Sequence, residues 1–465
     1  MNIYLHVEVA SREFDSKLLL GVIAASRGHS VFLSDLGGIV NCVKFGLFPP
    51  GIFHTKSLTP GNSKINRHQN LIEKGFQITS IDEEGGLVDY GYEKFARTRF
   101  SSVTLKQTAA IFCWGPEDAE TLKSVYPESE AKFHQTGSPR CDLWRPRFAD
   151  YWAVPKSLPE KPYLLFISNL SAANSAIPFY ESMRSQNKAG YFQRDPDLFS
   201  RSFGVAEEHF RLTLCFIEAI RYLAEYNDDF DIVLRPHPAE SIDAWKLYLE
   251  DIPNVHVARE GPISPWIRQS FAVVHNGCTS ALEASISDKP IITFIPFTQI
   301  YSNRGLSLDL GERVENQEAL SVAVNRLFRE SHSAPCHGDE GSYPMKDLPE
   351  SVAQKIFFDR QELAAQKMIE VWENLENGKC RKSVNFFLVK SLLMGLKLKR
   401  SIALMRNKIK SNQRQEGQVE EKFPPIELAE IEDKVTRVQR LLKIQDPLQC
   451  TLLSERTLVI RKNDN

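Results

Sequence analysis

Apolar and polar positions alternate along the first third of the chain between strand-like runs and helical spacing. Residues 3 to 9 (Ile-Tyr-Leu-His-Val-Glu-Val) read as a strand, and Phe14 to Arg27 carries apolar residues at helical spacing until Gly28-His29 closes it. Ser30-Val31-Phe32-Leu33 is a second strand, and a strand, helix, strand opening implies a right-handed crossover and a parallel sheet. The same rhythm continues through Ile78 to Ile81, and then through Ala109 to Trp114 before Gly115-Pro116 starts another helix.

After Thr136-Gly137-Ser138-Pro139-Arg140 the rhythm lapses, and Pro146, Pro155, Pro159 and Pro162 punctuate a linker. A second series begins at Tyr163 to Ser168, with a long helix near Glu207 to Tyr226. Strands follow at Phe230 to Leu234, Val255 to Val257, Ala272 to Val274 and Ile291 to Phe294. The pattern predicts an α/β protein of two facing Rossmann-like domains, 1–150 on the acceptor side and 160–330 on the nucleotide side. Residues 331–350 read as a flexible loop, and 351–465 as a helical extension without further strands. Two domains make a cleft available.

Composition narrows the class. Of 465 residues 42% are hydrophobic and 25% charged, the balance of a globular protein, and the net charge of -2 gives no overall field toward nucleic acid. Eight scattered cysteines contain no C-x-x-C pair, so neither a zinc site nor a disulfide framework is expected and a reducing cytoplasm fits. The start at Met1-Asn2-Ile3 lacks the features of a signal peptide, and no apolar run reaches the length of a spanning helix.

Ligands of open α/β sheets bind beyond the carboxyl ends of strands, which singles out three places. Asp82-Glu83-Glu84-Gly85-Gly86 follows a strand; clustered carboxylates repel, so one of them can keep its proton to higher pH and serve as a base or nucleophile. A solvated acidic turn is the alternative. In Arg235-Pro236-His237-Pro238 two prolines stiffen the backbone around His237, and Arg235 adds a charge suited to phosphate, although a plain structural turn has the same residues. In Asn276-Gly277-Cys278-Thr279-Ser280 a strand opens into a helix start that can either receive a phosphate or simply be capped by Thr279 and Ser280. Arg12 and Lys17, where the first strand turns into the first helix, are candidate contacts to a sugar. Glu13 and Lys17 pairing at i,i+4 on a solvated helix start explains them as well. Arg140 is a cleft residue or a hinge anchor, and Trp114 a cleft wall or a core residue.

The order of acid-acid-Gly, His-Pro and Ser/Thr-rich turns resembles the motif set of bacterial sialyltransferases and Kdo transferases. Over roughly residues 1 to 330 the chain looks like the surface carbohydrate biosynthesis proteins. The likeness is carried by Val9 to Leu19, Asp82 to Gly86, Trp114-Gly115-Pro116, Gly137 to Leu143, Arg235 to Pro238 and Asn276 to Ser280. That resemblance implies a GT-B-type glycosyltransferase of lipopolysaccharide or capsule assembly that uses no cofactor; the absence of a D-x-D-like strand end and the cationic Arg235-Pro236-His237-Pro238 turn, able to neutralise the phosphate, point to a reaction without a metal. Its donor would be a nucleotide-sugar, CMP-linked and acidic such as Kdo, and its acceptor a saccharide or lipid-linked saccharide. The resemblance gives a catalytic carboxylate to Asp82, Glu83 or Glu84 and the CMP to the His237 and Asn276 to Ser280 turns. With their positions at strand ends, this puts catalysis at Asp82, Glu83, Glu84 and His237, the leaving nucleotide at Arg235, Pro238, Asn276, Gly277, Thr279 and Ser280, and, by position alone, substrate contacts at Arg12, Lys17 and Arg140. A CDP-polyol phosphotransferase of teichoic-acid type, a UDP-sugar epimerase and a non-catalytic subunit of an assembly complex remain rivals.

Between Asn377 and Gln415 there are eleven Lys or Arg and no acid, interleaved with Phe386, Phe387, Leu388, Leu392, Leu393, Met394, Leu396 and Leu398. This segment reads either as a peripheral anchor on the inner face of the cytoplasmic membrane or as a helix packed back on the protein with a solvated basic face.

Overall fold

The computed structural model describes residues 1–463 apart from 87, 89–90, 176, 303–304, 334–347, 360, 377–382 and 408–421. Most of the expected 331–350 loop, and parts of the basic segment 377–415, therefore lie outside the described residues. The chain divides into two compact units, Met1–Leu143 with Val352–Asn465, and Trp144–Ser351. Both are α/β, each built on a sheet with a parallel core, as the alternating pattern predicts.

In the first unit the strands β1 (Asn2–His6), β2 (Ser30–Ser34), β3 (Ile52–Thr55), β4 (Gln77–Ile81), β5 (Ala110–Cys113) and β6 (Phe133–Gln135) pair in parallel in the order β2-β1-β3-β4-β5-β6. Residues of β1 and β2 are buried along their whole length, which explains their lack of strict alternation: a parallel sheet is covered by helices on both faces. The strand order reverses between β1 and β3, so the loops leaving those strands diverge and open a crevice at the carboxyl edge. The helix Ala10–Ser26 follows β1 directly.

The second unit carries β7 (Tyr163–Ile167), β8 (Asp231–Arg235), β9 (Val255–Val257), β10 (Ala272–His275), β11 (Ile291–Phe294) and β12 (Glu312–Val314), in the order β12-β11-β10-β7-β8-β9, all parallel. Its reversal falls between β7 and β10. The helix Asp197–Glu225 begins ten residues before the predicted start near Glu207 and buries Leu212, Phe216, Ile220 and Leu223 against the sheet.

The tail corrects one expectation: it is not helical throughout. After the helices Ala364–Glu376, Phe386–Asn407 and Leu428–Leu442 it ends in the hairpin β13 (Leu448–Ser454) and β14 (Thr457–Lys462). β14 pairs antiparallel with β2, extending the first sheet to eight strands. The open edge of β2 offers unpaired backbone groups, and a chain end that reaches it satisfies them. The helix Ala364–Glu376 seats Trp372, fully buried, against His54 and Phe112, with its indole N–H donating to Thr79 Oγ1 at 3.0 Å.

Candidate functional site

At the carboxyl edge of the first unit, beside the order reversal, a chain of charges begins inside the protein and ends at its surface. Lys17 is 1% exposed; its ammonium donates to His6 O at 2.6 Å and Glu13 Oε2 at 2.8 Å, and lies 3.4 Å from Glu83 Oε1. The i,i+4 pair expected from spacing is present, but it is buried rather than solvated. Burial alone would raise the Glu13 carboxyl; the Lys17 charge and hydrogen bond, the Glu8 N–H and Arg12 outweigh it and hold the group at about 2. Glu83 shares the same ammonium, yet burial pushes its carboxyl up, with the negative charge of Glu13 adding to the effect. One lysine thus faces two buried carboxylates, and Glu83 is the one that retains a proton to higher pH.

The neighbouring acids differ in kind. Asp82 is gripped bidentately by Arg99, Nε to Oδ2 at 2.9 Å and Nη2 to Oδ1 at 2.8 Å, and its Oδ1 also accepts the Glu84 N–H. It fixes the turn. Glu84 turns outward and pairs with Arg12 and Arg99. The turn is held from beneath by Trp114, whose indole N–H donates to Asp82 O at 2.7 Å; a Cβ on Gly86 would come within 2.1 Å of the ring, so only glycine fits there. Trp114 is therefore a buried support. Arg140 donates to Glu83 O at 3.2 Å and lies over the Trp114 ring. Beside this turn Lys64 donates to Ser57, and among the described residues neither Lys64 nor Arg67 has an acidic side chain within ion-pair distance. Burial, then the charge of Arg67, lowers the Lys64 ammonium to about 8. His68 is buried beside Lys64 and Arg67, His6 near Lys17 and Arg67, and His54 near Lys17, and desolvation keeps all three imidazoles neutral.

In the second unit the loops after β7 and β8 are tied together by Glu240, which is fully buried. Its carboxylate accepts from Ser168 Oγ, the Leu170 and His237 N–H groups and the Trp245 indole. His237 is thereby held at the rim and exposed, with Nδ1 accepting the Ala239 N–H at 3.1 Å, so the neutral ring carries its proton on Nε2. Arg235 points inward. It donates to Glu260 O and Gly261 O at 2.7 and 2.9 Å and stacks on Trp266. Burial lowers its pKa to about 10, which leaves it charged. Arg235 thus ties β8 to the loop after β9, while the carbonyls of the His237 turn, His237 O and Glu240 O, accept from Arg259.

Beyond β10, Asn276 spends its amide on Phe294 O at 2.7 Å, and Gly277 adopts φ 72, a left-handed conformation that favours glycine. Thr279 makes no side-chain cap bond to the seven-residue helix Ser280–Ile286, so the capping explanation for that hydroxyl does not hold. A cavity of about 450 Å³ opens near Ala239, lined also by Ser171, Arg201, His209 and Tyr301. The Tyr301 loop is fastened by Glu208, which accepts three successive N–H groups from Ile300, Tyr301 and Ser302.

The sequence reading missed Arg99, Lys64, Arg67, Glu208 and Glu240. Glu240 alone had a local signal, as the residue closing the Arg235 to Glu240 turn. Among the described residues no cluster of three or more His, Cys, Asp or Glu is placed to hold a metal ion.

No protein-family model and no curated protein sequence matches the chain. Solved structures that align with it include a UDP-GlcNAc 2-epimerase from Neisseria meningitidis, at 11% identity over 81% of this chain and 100% of that one, TM-score 0.42. A glycosyltransferase from Rickettsia africae aligns at 12% identity over 81% and 99%, TM-score 0.42. The wall teichoic acid polymerase TagF aligns at 12% over 60% and 62%, TM-score 0.34.

Proposed function

We propose that this chain is a glycosyltransferase of surface-polysaccharide assembly that transfers a sugar from a CMP-linked acidic donor such as Kdo to a saccharide acceptor. The observation that carries the reading is the buried Lys17, Glu13 and Glu83 group at the carboxyl edge of the first sheet, in which one carboxyl is kept ionised and the other holds its proton to higher pH. A carboxylate tuned upward is matched to proton removal near neutral pH. Glu83 takes the proton of an acceptor hydroxyl as that oxygen bonds to the anomeric carbon. The bond from that carbon to the donor phosphate breaks, and its electron pair leaves on the phosphate.

His237, whose turn is held by Glu240 and Arg259, donates from Nε2 to the departing phosphate, and Gly277, Thr279 and Ser280, at the carboxyl end of β10, receive the same nucleotide. The acidic character of the substrate is supported by Lys64, within electrostatic reach of Asp82, and by its neighbour Arg67, which among the described residues have no acidic side chain within ion-pair distance and suit a sugar carboxylate. Arg12 and Arg140 flank the same turn. Asp82 and Glu84 hold its shape, and no step needs a metal.

The test is a melting-temperature panel with CMP, UDP, GDP and CDP, followed by transfer assays with CMP-Kdo and with CDP-glycerol. CMP is expected to raise the melting temperature. Glu83→Gln is expected to keep that shift while turnover falls roughly 10²- to 10⁴-fold, and His237→Ala to lose transfer with the fold intact. A Glu83→Gln enzyme turning over near the wild-type rate, or CDP-glycerol as the only donor consumed, refutes the reading.

A further inference from the structure

The helix Phe386–Asn407 has two apolar stripes, and the fold uses one of them. Its inner stripe, with Val389 and Leu393, sinks into the core formed by Tyr4, Phe32, Phe48 and Val459. Phe387, Met394 and Leu398 project from the opposite side and are 76%, 70% and 62% exposed. At about 100° per residue these three fall within roughly 40° of one another, a continuous outward stripe. Lys390 and Lys397 line one flank of that stripe and Lys399 the other, and the helix sequence contains no acidic residue. A groove of about 870 Å³ runs beside it, with Phe387, Met394 and Lys397 on the helix side and Asp35, Leu453 and Glu455 across from them. Among the described residues no helix is long and apolar enough to cross a membrane.

Large apolar side chains in a row, bordered by lysines whose long stems lie along apolar surface while their ammonium groups stay wet, match the interface of a bilayer. We propose that this outward stripe lies on an anionic lipid surface, with Phe387, Met394 and Leu398 entering the acyl boundary and Lys390, Lys397 and Lys399 meeting the headgroup charge. Charge complementarity selects this occupant: a second copy of the same helix would bring lysines against lysines. Lys397 also pairs with Glu455, which leaves Lys390 and Lys399 as the residues that respond most directly to lipid charge.

Flotation of the full chain with phosphatidylcholine vesicles, with and without 30% phosphatidylglycerol, tests the proposal. Binding is expected with the anionic vesicles and to be weak with the neutral ones. Lys390→Gln with Lys399→Gln should lower the partition coefficient about 25-fold, since each lysine contributes roughly fivefold. Phe387→Ser with Met394→Ser should abolish flotation, and both variants should melt with the wild type because the altered side chains are exposed. Equal flotation of wild type and variants, no flotation of the wild type, or wild-type self-association that Phe387→Ser abolishes would each overturn the proposal.

Discussion

Lys17→Met probes the buried charge group most directly, because methionine fills nearly the same volume without the ammonium. The change leaves Glu13 and Glu83 facing each other with no cation between them and deprives His6 O of its donor. Removing one partner of a buried pair costs about 3–5 kcal/mol. The pH dependence makes the test sharp. In the wild type Glu13 is held at about 2 against an ordinary 4.5, so its contribution is present above about pH 4.5 and is lost as the pH falls toward 2. That contribution is ~3 kcal/mol. Without Lys17 only the Glu8 N–H and Arg12 still oppose burial, so the Glu13 carboxyl rises from about 2, and protonation relieves the repulsion with Glu83. The variant should therefore be about 3–5 kcal/mol less stable at pH 7.5, with the gap narrowing as the pH falls toward 4.5. Because two units can unfold separately, the measurement is hydrogen exchange by mass spectrometry of the peptide covering β1 across a urea series. Equal protection at pH 7.5, or a gap that does not change with pH, would falsify the claim that Lys17 neutralises a buried pair.

Other consequences are more local. Gly86→Ala drives a methyl into the Trp114 ring and should cost about 1–3 kcal/mol, read as a lower melting temperature together with a change in tryptophan fluorescence. Glu240→Ala strands the Trp245 indole and the Leu170 and His237 N–H groups; a loss of about 2–4 kcal/mol is expected, with the peptides of the second unit exchanging faster and those of β1 unchanged. Burial raises Asp118 to about 7 from 3.8, so its contribution is fully present below about pH 4 and is lost as the pH rises through 7. Asp118→Asn should remove that slope and melt higher than the wild type at pH 8, and an unchanged melting profile between pH 5 and 8 would count against the assignment.

Much of this architecture was written locally. Val31-Phe32-Leu33 and Ile291 to Phe294 are apolar enough to be strands in any context, and the rule that ligands gather beyond strand ends singles out Asp82 to Glu84, His237 and Asn276 to Ser280 from sequence alone. Spacing also showed that Glu13 and Lys17 share a helix face. What local pattern could not decide was depth and company. Lys17 meets Glu83, 66 residues later in the chain, only because β4 lies two strands from β1 in the sheet order. Arg99 closes on Asp82 from a separate helix. The same limit hid β13 and β14: a seven-residue run such as Leu448–Ser454 becomes a strand when its hairpin partner finds the open edge of β2, more than 400 residues away. Hydrophobic period and turn chemistry are short-range properties that fix which segments are strands and helices. The burial that separates Glu13 from Glu83, and turns Arg235 inward while His237 faces out, is set by contacts between segments far apart in sequence, and only the folded chain brings those together.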